Sequence, residues 1–305
     1  MAMNGIDFAD TIPYENEVLF SPTYDPLFKG IFVCPGDYGL LASLLSSALK
    51  LDIKAEGITV DNTELPKDNV LDKGVRLDLR VTLGDGSTIN VEMQIDNEYN
   101  MAKRSVYNVS RIIAGQVKIS EDYEKICPVI AINILDFNYI KGSKNFHNRY
   151  RMKNTETGSE MPDAEIFEIN FVELSKLPKD LGNDRFVWWL KFLSAKTEED
   201  LKMVIAKEPK IFGVAVNKLR KLSASEEIRE RIRKEEKARM DRVSALAKRE
   251  RIGMEKGIKK GRKEGMKEGK ANILQRIVKN MKNDGESVEK IMKFTGLNKE
   301  EIEKQ

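Results

Sequence analysis

Two runs of alternating residues around a glycine-flanked turn constrain this chain more than any other feature. In VRLDLRVTL, Val75, Leu77, Leu79, Val81 and Leu83 alternate with Arg76, Asp78, Arg80 and Thr82. In STINVEMQI, Ile89, Val91, Met93 and Ile95 alternate with Asn90, Glu92 and Gln94, and Gly84-Asp85-Gly86 separates the runs. Period-two patterning about such a turn predicts a β-hairpin with one apolar and one polar face. A two-residue turn pairs positions summing to 171 and sets polar residues against apolar ones. A three-residue loop gives a sum of 170, keeps the faces consistent and opposes Asp78 to Glu92. Facing Cβ atoms in such a pair lie roughly 4.5–5.5 Å apart. Two carboxylates that close repel unless one is protonated or a cation lies between them, and oxygen ligands of this kind suit Mg²⁺ or Mn²⁺. A solvated sheet face on which Arg76 and Arg80 neutralise Asp78 accounts for the same pattern.

The flanking segments place the hairpin in a mixed α/β order. Leucines at helical spacing predict a helix over Tyr38–Lys50, Ile53–Val60 reads as a strand, and Thr63–Gly74 reads as a polar loop. After the hairpin, Asn97–Val117 returns to helical spacing. Cys127–Phe137 is almost continuously apolar, as in a strand buried on both faces. A strand over Ile166–Leu174 and helices over Arg185–Ser194 and Glu198–Ala206 follow. Arg104 and Arg111, seven apart, project from one face of their helix and are candidates for phosphate contact or plain surface pairing. Tyr99 and Tyr107 read as packing residues, and His147 as a structural residue.

Composition excludes several chemistries. The 305 residues hold one histidine, His147, and two cysteines, Cys34 and Cys127. Histidine-pair mechanisms, disulfide scaffolds and cysteine-based zinc sites are therefore ruled out. No glycine-rich dinucleotide or P-loop motif and no GxSxG elbow occurs. No apolar run approaches membrane-spanning length, and the acidic start lacks a signal-peptide core; a reducing, cytoplasmic setting is expected.

The net charge of +3 conceals a division. Residues 218–305 carry 27 Lys and Arg against 16 Asp and Glu, a balance of +11, which leaves −8 for residues 1–217. Such asymmetry points to contact with nucleic acid or another anionic surface. From Lys218 the sequence reads as an exposed charged helix. Gly253, Gly257, Gly261, Gly265 and Gly269 then recur every four residues. Each costs a helix about 1 kcal/mol relative to alanine, so this stretch reads as a weak helix or a flexible linker. The end carries an apolar stripe from Ile273 to Met281 and a capping box at Asn298 and Glu301. The final helix is too short for major-groove reading, which favours docking or dimerisation.

The order α-β-β-β-α-β, with Asp on the second strand and Glu-x-Gln on the third, resembles the PD-(D/E)XK nuclease superfamily. More closely, TYDPLFKGIF, LDLRV, NVEMQ, CPVIAINILDF, FHNRYRM, FVELSKLPK, the WWLKFL helix, the glycine series and IMKFTGLNKEEIEK resemble the recombination-promoting nuclease and transposase family of bacteria. The resemblance implies a restriction-endonuclease-like α/β core with a helical C-terminal extension. It implies a Mg²⁺-dependent (or Mn²⁺-dependent) DNA endonuclease linked to recombination or genome defence, with Asp78 and Glu92 as metal-binding acids. Gln94 stands where the superfamily signature has lysine; it can orient a water but supplies no positive charge. Asp25 and Lys29 match a D-x-x-F-K pattern and would shape the site. A catalytically weak DNA-binding or protein-interaction module on the same fold is the alternative. The expected organisation is a nuclease-like domain over 1–217, a basic helical and glycine-repeat linker segment over 218–272, and a small helical element over 273–305. Homo-oligomerisation through that C-terminal region is a further expectation.

Overall fold

The predicted hairpin lies within a six-stranded sheet in the computed structural model of the chain, which describes residues 11–14, 17–61, 64–65, 75–76, 79–97, 99–118 and 120–304. The first elements are a ribbon of β1 (Thr11–Tyr14) and β2 (Glu17–Phe20), then α1 (Asp25–Phe32) and α2 (Gly39–Leu49). Next come β3 (Thr59–Val60) and a second ribbon of β4 (Glu64–Leu65) and β5 (Val75–Arg76). β6 (Leu79–Thr82) and β7 (Thr88–Gln94) form the hairpin, and α3 (Met101–Ala114) crosses to β8 (Val129–Leu135). β9 (His147–Tyr150) and β10 (Phe167–Glu173) complete the sheet, whose order is β3-β6-β7-β8-β10-β9. β7, β8 and β10 run parallel, and β6 and β9 are antiparallel to their neighbours.

The register of the hairpin is the one that the polar alternation demands. Leu79 opposes Val91, Arg80 opposes Asn90 and Thr82 opposes Thr88, each pair summing to 170. The loop closes through Gly86 N–H to the Leu83 carbonyl at 2.9 Å and Leu83 N–H to the Ser87 carbonyl at 2.9 Å. Gly86 occupies the left-handed region with φ 87°, the position that a three-residue hairpin loop reserves for glycine.

Period-two alternation gives the sheet two differently packed faces. Ile89 and Val91 join Leu79, Val81, Ile130, Ile132 and Ile134 in the larger core, beneath α1, α2 and α4 (Arg185–Leu193). α5 (Glu198–Lys207) and α6 (Pro209–Ala224) complete that layer, with Leu201, Val204, Phe212 and Leu219 fully buried. Trp189 lies at its centre, 5.3 Å from the Phe32 ring and 4.8 Å from that of Phe212. Burying side chains of this size contributes roughly 1.5–3 kcal/mol each. The opposite face is covered by α3, whose Met101, Val109 and Ile112 pack on Val129, Ala131, Leu135, Ile169 and Phe171.

Several sequence expectations need correction. Only Thr59–Val60 of the segment expected as a strand over Ile53–Val60 pairs, and a 3-10 turn at Ala55–Gly57 precedes it. Val75–Arg76 does not extend the hairpin but pairs with Glu64–Leu65, and Leu77 and Asp78 lie outside the described residues. Tyr99 is 89% exposed rather than packed.

The chain divides into two units, Met1–Arg233 and Lys234–Gln305. In the first, α6 runs through Lys218 and is anchored by Phe212, Val216 and Leu219. In the second, α8 (Val288–Thr295) and α9 (Lys299–Glu303) close Ile291 and Ile302 against Val278. The capping box at Asn298 and Glu301 forms as expected. Between these stretches α7 (Glu226–Asn283) is one helix of 58 residues, without a break at any of the five glycines. The intervening Lys, Arg, Glu and Met residues are strong helix formers and outweigh the glycine cost.

Candidate active site

β7 turns Thr88, Asn90, Glu92 and Gln94 toward α3, because its odd-numbered residues are claimed by the larger core. α3 answers with Arg104 and Asn108, one turn apart and therefore on one helical face. Glu92 is the focus. Its side chain is only 3% exposed, and protein donors hold both oxygens. Oε1 accepts from Asn108 Nδ2 at 2.7 Å and from Asn90 Nδ2 at 3.3 Å. Oε2 accepts from Arg104 Nη2 at 2.8 Å. The same Nη2 donates to Gln94 Oε1 at 2.7 Å, and Gln94 Nε2 donates to the Asp96 carbonyl at 3.1 Å. Behind this group Ser105 donates to Asn133 Oδ1, and Asn133 Nδ2 donates to the Asn170 carbonyl, tying α3 to β8 and β10. A buried carboxylate with full hydrogen-bond coverage avoids the desolvation penalty that an unpaired one would incur.

Of the sequence-derived candidates, Glu92, Gln94 and Arg104 meet here. Asp78, which the sequence pattern predicts to oppose Glu92, lies outside the described residues. Arg111 lines a cleft of about 550 Å³ with Asp61, Arg80, Thr82, Thr88 and Lys118. Arg80 and Thr82 both donate to Asp61 Oδ2 there. Thr88 and Glu92 belong to the same strand face, four residues apart, so cleft and carboxylate are separated by roughly 13 Å of β7. Asp25 and Lys29 pair with each other at 2.7 Å across one turn of α1.

Asn90 and Asn108 are the members of this group that the sequence alone does not mark. A lone asparagine on a strand or helix carries no functional signature, and only the i, i+4 spacing of Asn108 from Arg104 hints at a shared target. A second polar cluster, equally unmarked in the sequence, lies on the other face of the sheet. Glu168, with a side chain 1% exposed, receives Arg149, Arg151 and Asn170. Burial alone would raise its pKa, but the hydrogen bonds from Asn170 and Arg151 and the charges of both arginines hold it below the usual carboxylate value. His147 joins this cluster through Nε2, 2.8 Å from Asn170 Oδ1, with its ring 5.4 Å from that of Phe186.

The donor set suits a hard cation. Glu92 Oε2 and Gln94 Oε1 converge on a single positive group, the Arg104 guanidinium, so two side-chain oxygens from β7 reach one cationic position. Asn90 Oδ1, on the same face, is buried and has no hydrogen-bond partner among the described residues. Among the described residues no three His, Cys, Asp or Glu side chains gather as a ready-made metal cage.

A family model described as "PD-(D/E)XK nuclease family transposase" matches residues 22–249. No curated protein and no solved structure matches the chain. No helix among the described residues is long and apolar enough to cross a membrane.

Proposed function

Because the chain belongs to the PD-(D/E)XK nuclease family transposases, we propose that it hydrolyses DNA phosphodiester bonds with Mg²⁺ or Mn²⁺ held by Glu92 and Asp78. The observation that carries this reading is the convergence of Glu92 Oε2 and Gln94 Oε1 on one positively charged group, the Arg104 guanidinium, on the polar face of the hairpin. A bound divalent cation supplies two things there: a water of lowered pKa, and charge to balance the phosphate oxygens.

The chain's own residues do the positioning. Asn108 and Asn90 fix Glu92 through Oε1 and so set the direction of Oε2. Gln94, where the signature has lysine, holds Arg104 through Oε1 and the Asp96 carbonyl through Nε2, and would orient a water through its remaining amide hydrogen. Arg80, Arg111 and Lys118 bring positive charge to the neighbouring cleft. Double-stranded DNA presents one phosphate per strand about every 3.4 Å of axis, so a strand with its scissile phosphate at Glu92 passes the cleft within a few nucleotides. The +11 balance of residues 218–305 adds sequence-independent attraction to DNA. A role in recombination or genome defence in the cytoplasm is part of the same proposal.

One observation favours a second reading. Both Glu92 oxygens are already taken by protein donors, as suits a catalytically weak DNA-binding module on this fold. Supercoiled plasmid incubated with Mg²⁺ or with EDTA separates the two. Nicking or linearisation by the wild type, abolished by EDTA and by Asp78→Ala or Glu92→Gln, supports hydrolysis. Equal cleavage by the wild type and both variants refutes the site. DNA binding without any cleavage favours the second reading.

A further inference from the structure

We infer that Arg104 is a built-in counter-cation that competes with the divalent metal for Glu92 Oε2 and Gln94 Oε1, and that it is released toward the substrate when the metal enters. The inference rests on the metal-dependent reading of the site given above.

Three observations carry it. First, one nitrogen, Arg104 Nη2, sits 2.8 Å from Glu92 Oε2 and 2.7 Å from Gln94 Oε1. A hard cation takes oxygen ligands at about 2.0–2.6 Å, so it cannot share those two oxygens with the guanidinium, and like charge adds repulsion to the overlap. Second, the two oxygens of Glu92 are divided by the kind of donor. Oε1 takes two neutral amides, from Asn108 and Asn90, and Oε2 takes the arginine. Departure of Arg104 therefore leaves the carboxylate anchored and uncovers one oxygen. Third, Arg104 lies in the first turn of α3, which contains no acidic residue. A cation there is disfavoured by the helix dipole, and the contacts to Glu92 and Gln94 are among those that offset this. Its side chain is 31% exposed, so it has solvent to swing into without unpacking the core. Once displaced, it adds to the positive end of α3, beside Lys103, where a phosphate is favoured.

Calorimetric titration of the full chain with MnCl₂, in wild type, Arg104→Met, Arg104→Lys and Glu92→Gln forms, tests this. Arg104→Met, which keeps the length and removes the charge, should bind Mn²⁺ about 10-fold more tightly than the wild type. Arg104→Lys should return affinity to within about 3-fold of the wild type, and Glu92→Gln should abolish binding. Equal or weaker binding by Arg104→Met, with wild-type binding intact, overturns the inference and leaves the metal site standing. Absence of Mn²⁺ binding in the wild type and Arg104→Met alike overturns the metal site itself. Should Arg104→Met fail to fold, Mg²⁺ titration of the wild type followed by arginine side-chain NMR decides the matter. The Arg104 resonance should move in step with metal occupancy, and a signal unmoved at saturation overturns the inference.

Discussion

Asn108 on α3 donates Nδ2 to Oε1 of Glu92 on β7 at 2.7 Å, across the interface between helix and sheet. Both residues are buried, so the bond is shielded from water and does more than decorate a surface. Replacing Asn108 by leucine keeps the branched outline and the number of side-chain heavy atoms, removes the donor, and leaves Oε1 with the longer Asn90 contact alone. An unsatisfied buried acceptor costs about 1–3 kcal/mol, more when charged. Asn108→Leu should therefore lower stability by about that amount in denaturant unfolding. It should also reduce Mg²⁺-dependent cleavage by more than the loss of folded protein accounts for, because Glu92 loses its main anchor.

The loop of the hairpin is pinned by a second close relationship. Gly86 has φ 87°, and a Cβ added to it would stand 2.6 Å from Cys127 Sγ. Gly86→Ala therefore meets two separate costs, about 1–2 kcal/mol for left-handed backbone and about 1–3 kcal/mol for overpacking. In the double variant with Cys127→Ala the second should be recovered and the first should not. Chemical denaturation of the two single variants and the double variant measures the split. Complete recovery would show that the backbone at Gly86 relaxes.

The polar face of β7 is legible in the sequence because alternation leaves only one register consistent with buried odd positions, and that register is set locally by a three-residue loop. Asn108 is not legible, since its burial arises only when α3 docks on β7. β9 is equally silent: HNRY has no apolar alternation, and it is held as a strand by pairing with β10 alone. The glycine series reads as a break when each residue is priced separately, yet α7 continues because its neighbours are helix formers. β5 misleads for another reason. Val75 and Arg76 carry the hairpin's alternation, but pairing partners are chosen by tertiary structure, and theirs are Leu65 and Glu64.

His147 gives the first unit a pH dependence of definite sign. Burial, the largest influence, lowers its pKa below the ordinary 6.5, and the charges of Arg149 and Lys50 act the same way. Asn170 and Glu168 pull upward and do not prevail. Between the depressed folded value and 6.5 the unfolded chain binds the extra proton, so stability rises with pH there. The contribution is complete above pH 6.5 and is lost as the pH falls toward the folded value. Thermal melts from pH 7.5 to pH 5.5 should show this loss in the wild type and a smaller one in His147→Gln, which keeps an amide donor for Asn170.

The charged stretch of α7 offers a test that does not depend on cleavage. Lys256, Lys259, Lys263 and Lys267 are exposed, and glutamine is nearly as good a helix former as lysine. Replacing all four should leave the helical circular dichroism signal intact. If these lysines meet DNA, the slope of log K against log salt should fall by about 0.9 for each one that neutralises a phosphate. Fluorescence anisotropy of a labelled duplex, with EDTA present to suppress hydrolysis, reads that slope directly. A slope unchanged by the fourfold substitution would assign DNA contact to other cations, with Arg80, Arg111 and Lys118 of the cleft as the first to replace.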